Sequence, residues 1–278
     1  MTALQLLRQL RHGPLKSLDP IWIVLGKSVR FLLHVIGRNF CTEHRIGNYG
    51  PFKLNANFMF SNFQDWGAGH NNGFVATVEA CREKDCVLDV GGHIGLVSLP
   101  ISKVLRPGGR LITFEPSSAN LRYLKQHLSV NNCDNVTVVE CLVGKKNGHV
   151  KFFEQKDAAG QNSRVVKKNA ELYSEVTRTQ LSIDSYCAEH AIIPQIIKMD
   201  IEGAEVDALK GAKEILISCK PIVFLSVHPR EIELMGTTLD ELQRFLQEIN
   251  YSISEINGAP VKSFRLAEYC LQPRNGER

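Results

Sequence analysis

Apolar residues recur in short, nearly uninterrupted runs along this chain from residue 86 onward. These runs alternate with longer segments in which apolar residues return every three or four positions. The short runs are typical of buried strands, and the longer segments are typical of amphipathic helices. We predict strands at 86–90, 110–115, 136–142, 195–200, 221–227, 251–256 and 268–272, and helices at 95–105, 117–130, 204–217 and 238–249.

This alternation predicts an α/β fold with a Rossmann-like, mostly parallel sheet of about seven strands and helices on both faces. The last two strands follow each other without a helix, and Gly258 and Pro260 break the chain between them. We therefore expect an antiparallel edge strand. A chain of 278 residues suggests one domain with an elaboration. We place the domain at 84–278 and treat 1–83 as an N-terminal helical arm with an aromatic-rich cap.

A long polar segment at residues 149–180 interrupts the pattern after a short apolar run at 150–153. Structureless loops of this length are uncommon in compact domains unless they have a function. We interpret the segment as a flap on the substrate side, with a plain surface excursion as the alternative.

Charge is concentrated at the N-terminus. Residues 1–45 contain seven basic and two acidic residues, whereas the rest of the chain contains 26 basic and 27 acidic residues. A nearly neutral body argues against nucleic acid as a partner, because nucleic-acid binding usually needs a basic face. We expect a small-molecule or glycan partner instead, and the oligomeric state does not follow from the sequence.

The N-terminal arm contains an apolar stretch whose periodicity predicts a helix near residues 18–38. Lys27, Arg30 and His34 within the stretch argue against a membrane span. We expect the helix to pack on the domain. The alternative is a peripheral contact with an anionic membrane or a lipid-linked glycan through Lys27, Arg30 and Arg38.

The eight cysteines are scattered and form no C-x-x-C pair, so neither a zinc site nor a redox dithiol is indicated. Several of them lie in apolar strand patterns, where a reduced cysteine behaves as a small hydrophobic residue. We therefore expect a reducing, cytoplasmic location.

A glycine-rich turn follows the first predicted strand, between Asp89 and Gly95. Glycines let a ligand approach the backbone closely and leave amide groups available before a helix. The next strand ends in Glu115, at the place where such folds hold the hydroxyls of a ribose. The two signals together indicate a nucleoside cofactor, whereas the glycine loop alone could be an ordinary ligand-free turn.

The spacing of the glycines narrows the cofactor. A dinucleotide motif counted from Gly91 would need glycines where His93 and Leu96 stand, and no P-loop motif is present. The pattern D-x-G-x-x-x-G is instead that of class I S-adenosylmethionine-dependent methyltransferases. In that arrangement Asp89 faces the methionine ammonium, Gly91 and Gly95 let the cofactor lie close, and Glu115 accepts both ribose hydroxyls.

A second group of polar residues follows two later strands. Asp200 and Glu202 come after the run 196–199, and His228 comes after the run 222–227. Because parallel strands end at one edge of a sheet, we expect these residues near the cofactor. An acid and an imidazole there could deprotonate an attacking hydroxyl. The alternative is structural, with Glu202 and Glu205 capping a helix and Lys198 as their ion-pair partner. No spacing here demands a metal.

Three segments resemble the FkbM family of methyltransferases. They are the loop 89–95, the segment 114–116 with Asn120, and the segment 198–205. His93 stands where asparagine is usual in the family. The resemblance covers about residues 84–272, and it implies a Rossmann-like fold, S-adenosylmethionine as cofactor and O-methylation, often of sugars or natural products. We expect His93, Asn120 and Leu142 to contribute to the cofactor site.

The sequence therefore predicts an S-adenosylmethionine-dependent O-methyltransferase acting on a hydroxyl of a sugar, glycoconjugate or natural product. Asp200 or His228 is the expected proton acceptor, with Glu202 as a further catalytic candidate. N-methylation of another small molecule or of nucleic acid is one alternative. It usually comes with an Asp/Asn-Pro-Pro-aromatic turn, which here reads Asp-Ile-Glu-Gly at 200–203. A catalytically inactive binding module of the same fold is another.

Overall fold

The computed structural model describes residues 40–155 and 173–274, together with scattered positions between 7 and 28. The basic residues of the expected arm helix, Lys27, Arg30 and Arg38, lie outside the described residues, and so does most of the expected flap, at 156–172. The chain divides into two compact units, residues 1–66 and 67–278. The domain boundary expected at 83/84 stays a prediction.

The first unit contains a β-hairpin that the sequence analysis did not predict. Strand β1, Cys41–Ile46, pairs antiparallel with β2, Tyr49–Asn55. Exposure alternates along β1, where His44 and Ile46 are buried and their neighbours are exposed. The sequence analysis assigned this segment to a helical arm with an aromatic-rich cap and overlooked its two-residue period. Around the hairpin, the Phe63 ring packs at 5.7–6.3 Å from His44, Phe58 and Trp66.

The second unit is built on a seven-stranded sheet in the order β11-β12-β10-β9-β3-β4-β5. Its strands are β3 (Cys86–Val90), β4 (Arg110–Phe114), β5 (Val136–Val139), β9 (Ile196–Met199), β10 (Ile222–Val227), β11 (Tyr251–Glu255) and β12 (Ala267–Pro273). The neighbours from β10 to β5 are parallel, which confirms the predicted fold class.

The antiparallel strand lies one place inside the edge rather than at it. Strand β12 pairs antiparallel with both β10 and β11. Its run Ala267–Leu271 is fully buried, whereas most of β11 is half-buried. A fully buried strand needs neighbours on both sides to pair its backbone. The more exposed β11 therefore takes the edge.

A second, three-stranded sheet has the order β6-β8-β7 and comprises β6 (Leu142–Val143), β7 (Gly148–Gln155) and β8 (Tyr173–Leu181). Strands β7 and β8 are antiparallel along their whole length. The two ends of the segment expected to be a flap are thus paired strands. The strand predicted at 136–142 is divided between the two sheets.

The described helices are α1 (Phe74–Ala80), α2 (Ser98–Val104), α3 (Ser118–Val130), α4 (Ile183–His190), α5 (Glu205–Lys210), α6 (Lys213–Ser218), α7 (Pro229–Leu234) and α8 (Leu239–Glu248). The helix predicted at 204–217 is two helices. The break falls at Gly211, whose carbonyl accepts a hydrogen bond from Asp184 N and whose Cα lies so close to Gly144 O that a Cβ would be only 2.1 Å away.

Alternation along the central strands separates a core face from a polar face. Leu88 and Val90 of β3 lie in the main hydrophobic core with helices α4 to α8, and so does Met199 of β9. Side chains of a strand alternate between faces. Asp89 and Lys198 therefore share the opposite face, close to the carboxyl edge of the sheet.

Candidate functional site

The glycine loop after β3 is tied to its own backbone. The amides of Gly91 and Gly92 both donate to Phe114 O at 3.0 Å, and Gly95 N donates to Gly92 O at 2.8 Å. Gly91 has φ +96°, and a Cβ there would lie 2.0 Å from Asp200 O. The sequence analysis expected these amides to be available for a ligand, but they are bonded within the protein. Gly91 is needed because the loop packs closely against Asp200, at the end of the neighbouring strand β9.

Glu115, at the end of β4, organises this loop. Its carboxylate accepts hydrogen bonds from His93 N at 2.7 Å, Ser117 N at 3.0 Å and Asn120 Nδ2 at 3.2 Å. Burial raises the pKa of Glu115 to about 7, against the opposing effect of these bonds. A carboxylate has about four acceptor positions, so three bonds leave room for about one more.

Asp89 is completely buried, and its Oδ2 accepts a hydrogen bond from Ser98 Oγ at 2.5 Å. Its Oδ1 has no hydrogen-bond partner and lies 3.5 Å from Lys198 Nζ. His93 Nε2 is likewise buried without a partner, and burial lowers the pKa of His93 to about 4. The cofactor edge thus contains two buried polar atoms that make no hydrogen bond.

Lys198 links the two groups of residues found in the sequence. Its Nζ lies 3.3 Å from Gly91 O, 3.5 Å from Asp89 Oδ1 and 3.9 Å from Asp200 Oδ2. Burial favours a lower pKa for Lys198, but the negative charges of Asp89, Asp200 and Glu268 outweigh it and raise that pKa. A permanent positive charge therefore lies between the glycine loop and the acids of the second group.

Asp200 and His228 are brought together as predicted. His228 Nε2 lies 3.6 Å from Asp200 Oδ1, and the Asp200 side chain is 29% exposed. Burial favours a raised pKa for Asp200, but Lys198, His228 and His70 outweigh it, so the pKa falls below its ordinary value. Asp200 is therefore a partly accessible carboxylate that stays ionised.

The other ring nitrogen of His228 contacts Glu205, which the sequence analysis considered only as a possible helix cap. His228 Nδ1 lies 2.7 Å from Oε1 of Glu205, which is fully buried. Burial favours a lower pKa for His228, but the bond to Glu205 and the charge of Asp200 raise it to about 9. The imidazole is accordingly protonated at neutral pH, which the sequence could not reveal.

The remaining predicted residues are placed less directly. Glu202 has φ +50° in the turn after β9, and its charge helps to raise the pKa of His228. Asn120 binds Glu115, as above, and Leu142 is buried on β6. Their contribution to catalysis or cofactor binding stays a prediction.

One polar residue of the site was missed altogether. Glu268 is 5% exposed within the buried part of β12, and Lys198 and Asp200 both influence its pKa. The available signal was a charged residue inside the apolar run 267–271, because charged residues are almost never buried without a partner.

The described residues contain neither a cluster suited to a metal ion nor a helix suited to a membrane. No group of three or more His, Cys, Asp or Glu residues within them is arranged to hold a metal ion. No helix in the part of the chain that the structure describes is long and apolar enough to cross a membrane.

Comparison with known proteins assigns the family. The methyltransferase FkbM domain model matches residues 89–253, which is more than half of the chain. The chain belongs to the FkbM methyltransferase family. This confirms the resemblance seen in the sequence, and it makes the domain a methyltransferase that uses S-adenosylmethionine.

Individual relatives of the FkbM domain are distant. "Methyltransferase 1" from Beauveria bassiana is 24% identical over 143 residues, covering 45% of this chain and 57% of the relative. The crystal structure of an FkbM methyltransferase from Methylobacillus flagellatus KT is 23% identical, with a TM-score of 0.45, covering 68% of this chain and 43% of that chain. The chain thus spans about half the length of these relatives.

The FkbM site offers groups that fit S-adenosylmethionine. Glu115 has capacity for about one further hydrogen bond, which suits a ribose hydroxyl. Asp89 Oδ1 and His93 Nε2 are buried and make no hydrogen bond, so they are polar atoms of the kind that a polar ligand satisfies. Lys198 stands beside Asp89, so the methionine ammonium would share this carboxylate with a protein cation.

Proposed function

We propose that this FkbM protein transfers a methyl group from S-adenosylmethionine to a hydroxyl of a sugar, glycoconjugate or natural product. The observation that carries the proposal is Asp200, a carboxylate at the carboxyl edge of the sheet that is partly exposed and held ionised by its neighbours. An ionised acceptor of protons suits a hydroxyl, which must lose its proton during methylation.

Asp200 needs only to be a weak base. S-adenosylmethionine, when bound, would supply the methyl group from its sulfonium centre, and the acceptor hydroxyl would lose its proton to Asp200. The hydroxyl proton becomes strongly acidic as that oxygen gains its new bond to carbon. Asp200 can then accept the proton although its pKa is lowered. The main contribution of the site is alignment of the two reactants.

His228 acts with Asp200 rather than in its place. Its pKa of about 9 leaves it charged at neutral pH, so it is not a free base there. Glu205 fixes one ring nitrogen, which directs the other toward Asp200. We infer that His228 orients the Asp200 carboxylate. A limb of the pH–rate profile due to His228 is then expected near pH 9 instead of near neutrality.

The wider setting is also part of the proposal. The near-neutral charge of residues 46–278 supports a small-molecule or glycan partner rather than nucleic acid. The eight free cysteines support a reducing, cytoplasmic location. We favour an N-terminal arm that packs on the protein over one that contacts a membrane.

The test is transfer of tritiated methyl groups from S-adenosylmethionine to a panel of methyl glycosides of common hexoses and deoxyhexoses. Wild-type protein should label the hydroxyls of at least one glycoside. Asp200→Asn should lower the rate by about 10²–10⁴-fold, with S-adenosylhomocysteine affinity unchanged.

The matched control is Asp134→Asn, which alters an exposed aspartate in a turn. It should retain the wild-type rate. Full activity of Asp200→Asn would remove Asp200 from the chemistry, and labelling confined to amines would exclude O-methylation.

A further inference from the structure

Glu268 joins two parts of the chain that lie outside the matched FkbM region. Its Oε2 accepts a hydrogen bond from Gly73 N at 2.6 Å, and its backbone N donates to Asn72 Oδ1 at 3.0 Å. The residues that meet are 195 positions apart. Residues 72 and 73 precede the matched region 89–253, and residue 268 follows it. The junction therefore joins two segments on either side of the matched region.

The contact is close, so a side chain at residue 73 would force the Glu268 carboxylate or Ile256 to move. A Cβ on Gly73 would lie 2.8 Å from Glu268 Oε2 and 2.8 Å from Ile256 Cδ1. Real Cβ atoms essentially never come this close to a neighbour. The glycine therefore lets the Glu268 carboxylate reach the backbone directly.

Stability is a poor explanation for this carboxylate. Burial and the charge of Asp200 raise the pKa of Glu268 to about 7, so its ionised form is disfavoured in the folded protein. A buried charge of this kind is weak evidence for stabilisation. What Glu268 provides is a fixed position for the backbone at residues 72 and 73.

That position matters for the proposed acceptor site. The short 3₁₀ helix Gly69–Asn71 directly precedes the junction, and its His70 is exposed. The charge of His70 reaches Asp200 and helps to lower its pKa. Glu268 lies opposite Ser226 in the β10–β12 pair. Ser226 comes two residues before His228. The junction thus fixes the backbone next to His70, beside the strand pair that leads to His228.

We propose that Glu268 is a positioning residue that holds residues 67–73 as one wall of the acceptor site. This inference rests on the proposed function. It assigns acceptor affinity to segments on either side of the FkbM domain, and cofactor affinity to the domain itself.

The experiment compares wild type, Glu268→Ala and Glu268→Gln, with Glu255→Ala as the matched control. Glu255 is a half-buried glutamate on the neighbouring strand whose carboxylate binds Arg265 instead. Hydrogen exchange measured by mass spectrometry should be at least tenfold faster over residues 69–75 in Glu268→Ala. Glu268→Gln keeps one acceptor oxygen and should recover part of the protection. Glu255→Ala should exchange like wild type in this segment.

Activity supplies the second measurement. With the methyl glycoside that wild type labels best, Glu268→Ala should raise the acceptor KM at least fivefold and change kcat less. Affinity for S-adenosylhomocysteine should stay within twofold of wild type. Unchanged exchange over residues 69–75, or an equal loss of acceptor and cofactor affinity, would overturn the proposal.

Two further arms separate the possible failures. If Glu268→Ala does not fold, Asn72→Ala removes the other hydrogen bond of the junction and should show the same changes, smaller in size. If wild type labels no glycoside, the proposed acceptor class fails, and hydrogen exchange alone still decides whether Glu268 holds this segment.

Discussion

The carboxyl edge of this sheet has two parts, the cofactor edge around Glu115 and the acceptor edge around Asp200, and different interactions organise them. At the cofactor edge, Glu115 is held by three hydrogen bonds, from residues 93, 117 and 120. At the acceptor edge, Asp200, His228 and Lys198 are held mainly by charge. The first arrangement lies within residues 93–120, whereas the second joins residues in and directly after two neighbouring strands, β9 and β10. A local hydrogen-bonded loop sets where a ligand lies, while a network of charges sets which groups are ionised.

The largest effect should come from the charge network. The pKa of His228 is raised from 6.5 to about 9 in the folded protein. A raised pKa stabilises the fold fully below pH 6.5, and this stabilisation is lost as pH rises through 9. We expect the difference in unfolding free energy between wild type and His228→Gln to shrink by about 3 kcal/mol over this range.

Urea unfolding at pH 6 and pH 9.5 measures this difference. His149→Gln, at an exposed histidine of β7, is the control and should show a constant difference. A difference for His228→Gln that does not depend on pH would mean that the imidazole is not ionised in the network, and it would remove the contrast between the two edges.

The cofactor edge should respond through binding. Glu115→Ala removes a charged acceptor, so affinity for S-adenosylhomocysteine should weaken by about 1.5–3 kcal/mol. Calorimetry measures it. Glu154→Ala is a matched control, because Glu154 also accepts a backbone amide, from Ser118 at 3.1 Å. The Glu154→Ala variant should bind S-adenosylhomocysteine with the affinity of wild type. Equal losses in both variants would show that Glu115 acts only through the shape of the loop.

A smaller effect should sharpen the picture of the loop. His127 Nδ1 lies 2.7 Å from Ile94 O beneath the glycine turn, and burial lowers the pKa of His127. His127→Phe keeps a ring and removes this hydrogen bond, so stability should fall by about 1 kcal/mol. His190→Phe is the control, because His190 makes a comparable contact to Tyr186 O at 3.0 Å on a more exposed helix. A smaller loss for His127→Phe than for His190→Phe would contradict the role of His127.

Short-range features of the fold could be predicted from the sequence. The strands at 86–90, 110–115 and 221–227 and the helix at 117–130 are found within one residue at each end. Each is a continuous apolar or amphipathic segment whose structure depends on neighbours a few positions away. Helix α3 also begins with its own cap, since Ser117 Oγ accepts a hydrogen bond from Asn120 N at 3.4 Å.

Elements that depend on distant partners were predicted less well. The helix predicted at 204–217 is broken because Gly211 packs against Gly144, 67 positions earlier in the numbering. The strands β7 and β8 pair with each other across a long polar segment, so neither depends on a local pattern alone. Strand β12 lies inside the sheet because its buried run, residues 267–271, needs a neighbouring strand on each side.

The same division applies to the site. The identity of Asp89, Glu115, Asp200 and His228 as residues of one edge follows from the sequence, because each comes directly after or within a strand of a parallel sheet. Their charge states were decided by the tertiary structure. Glu205 makes His228 a cation, Lys198 keeps Asp200 ionised, and burial raises the pKa of Glu115. The sequence places a side chain on an edge through its local period, but a pKa depends on burial and on charges that only the packing of distant segments brings within a few ångströms.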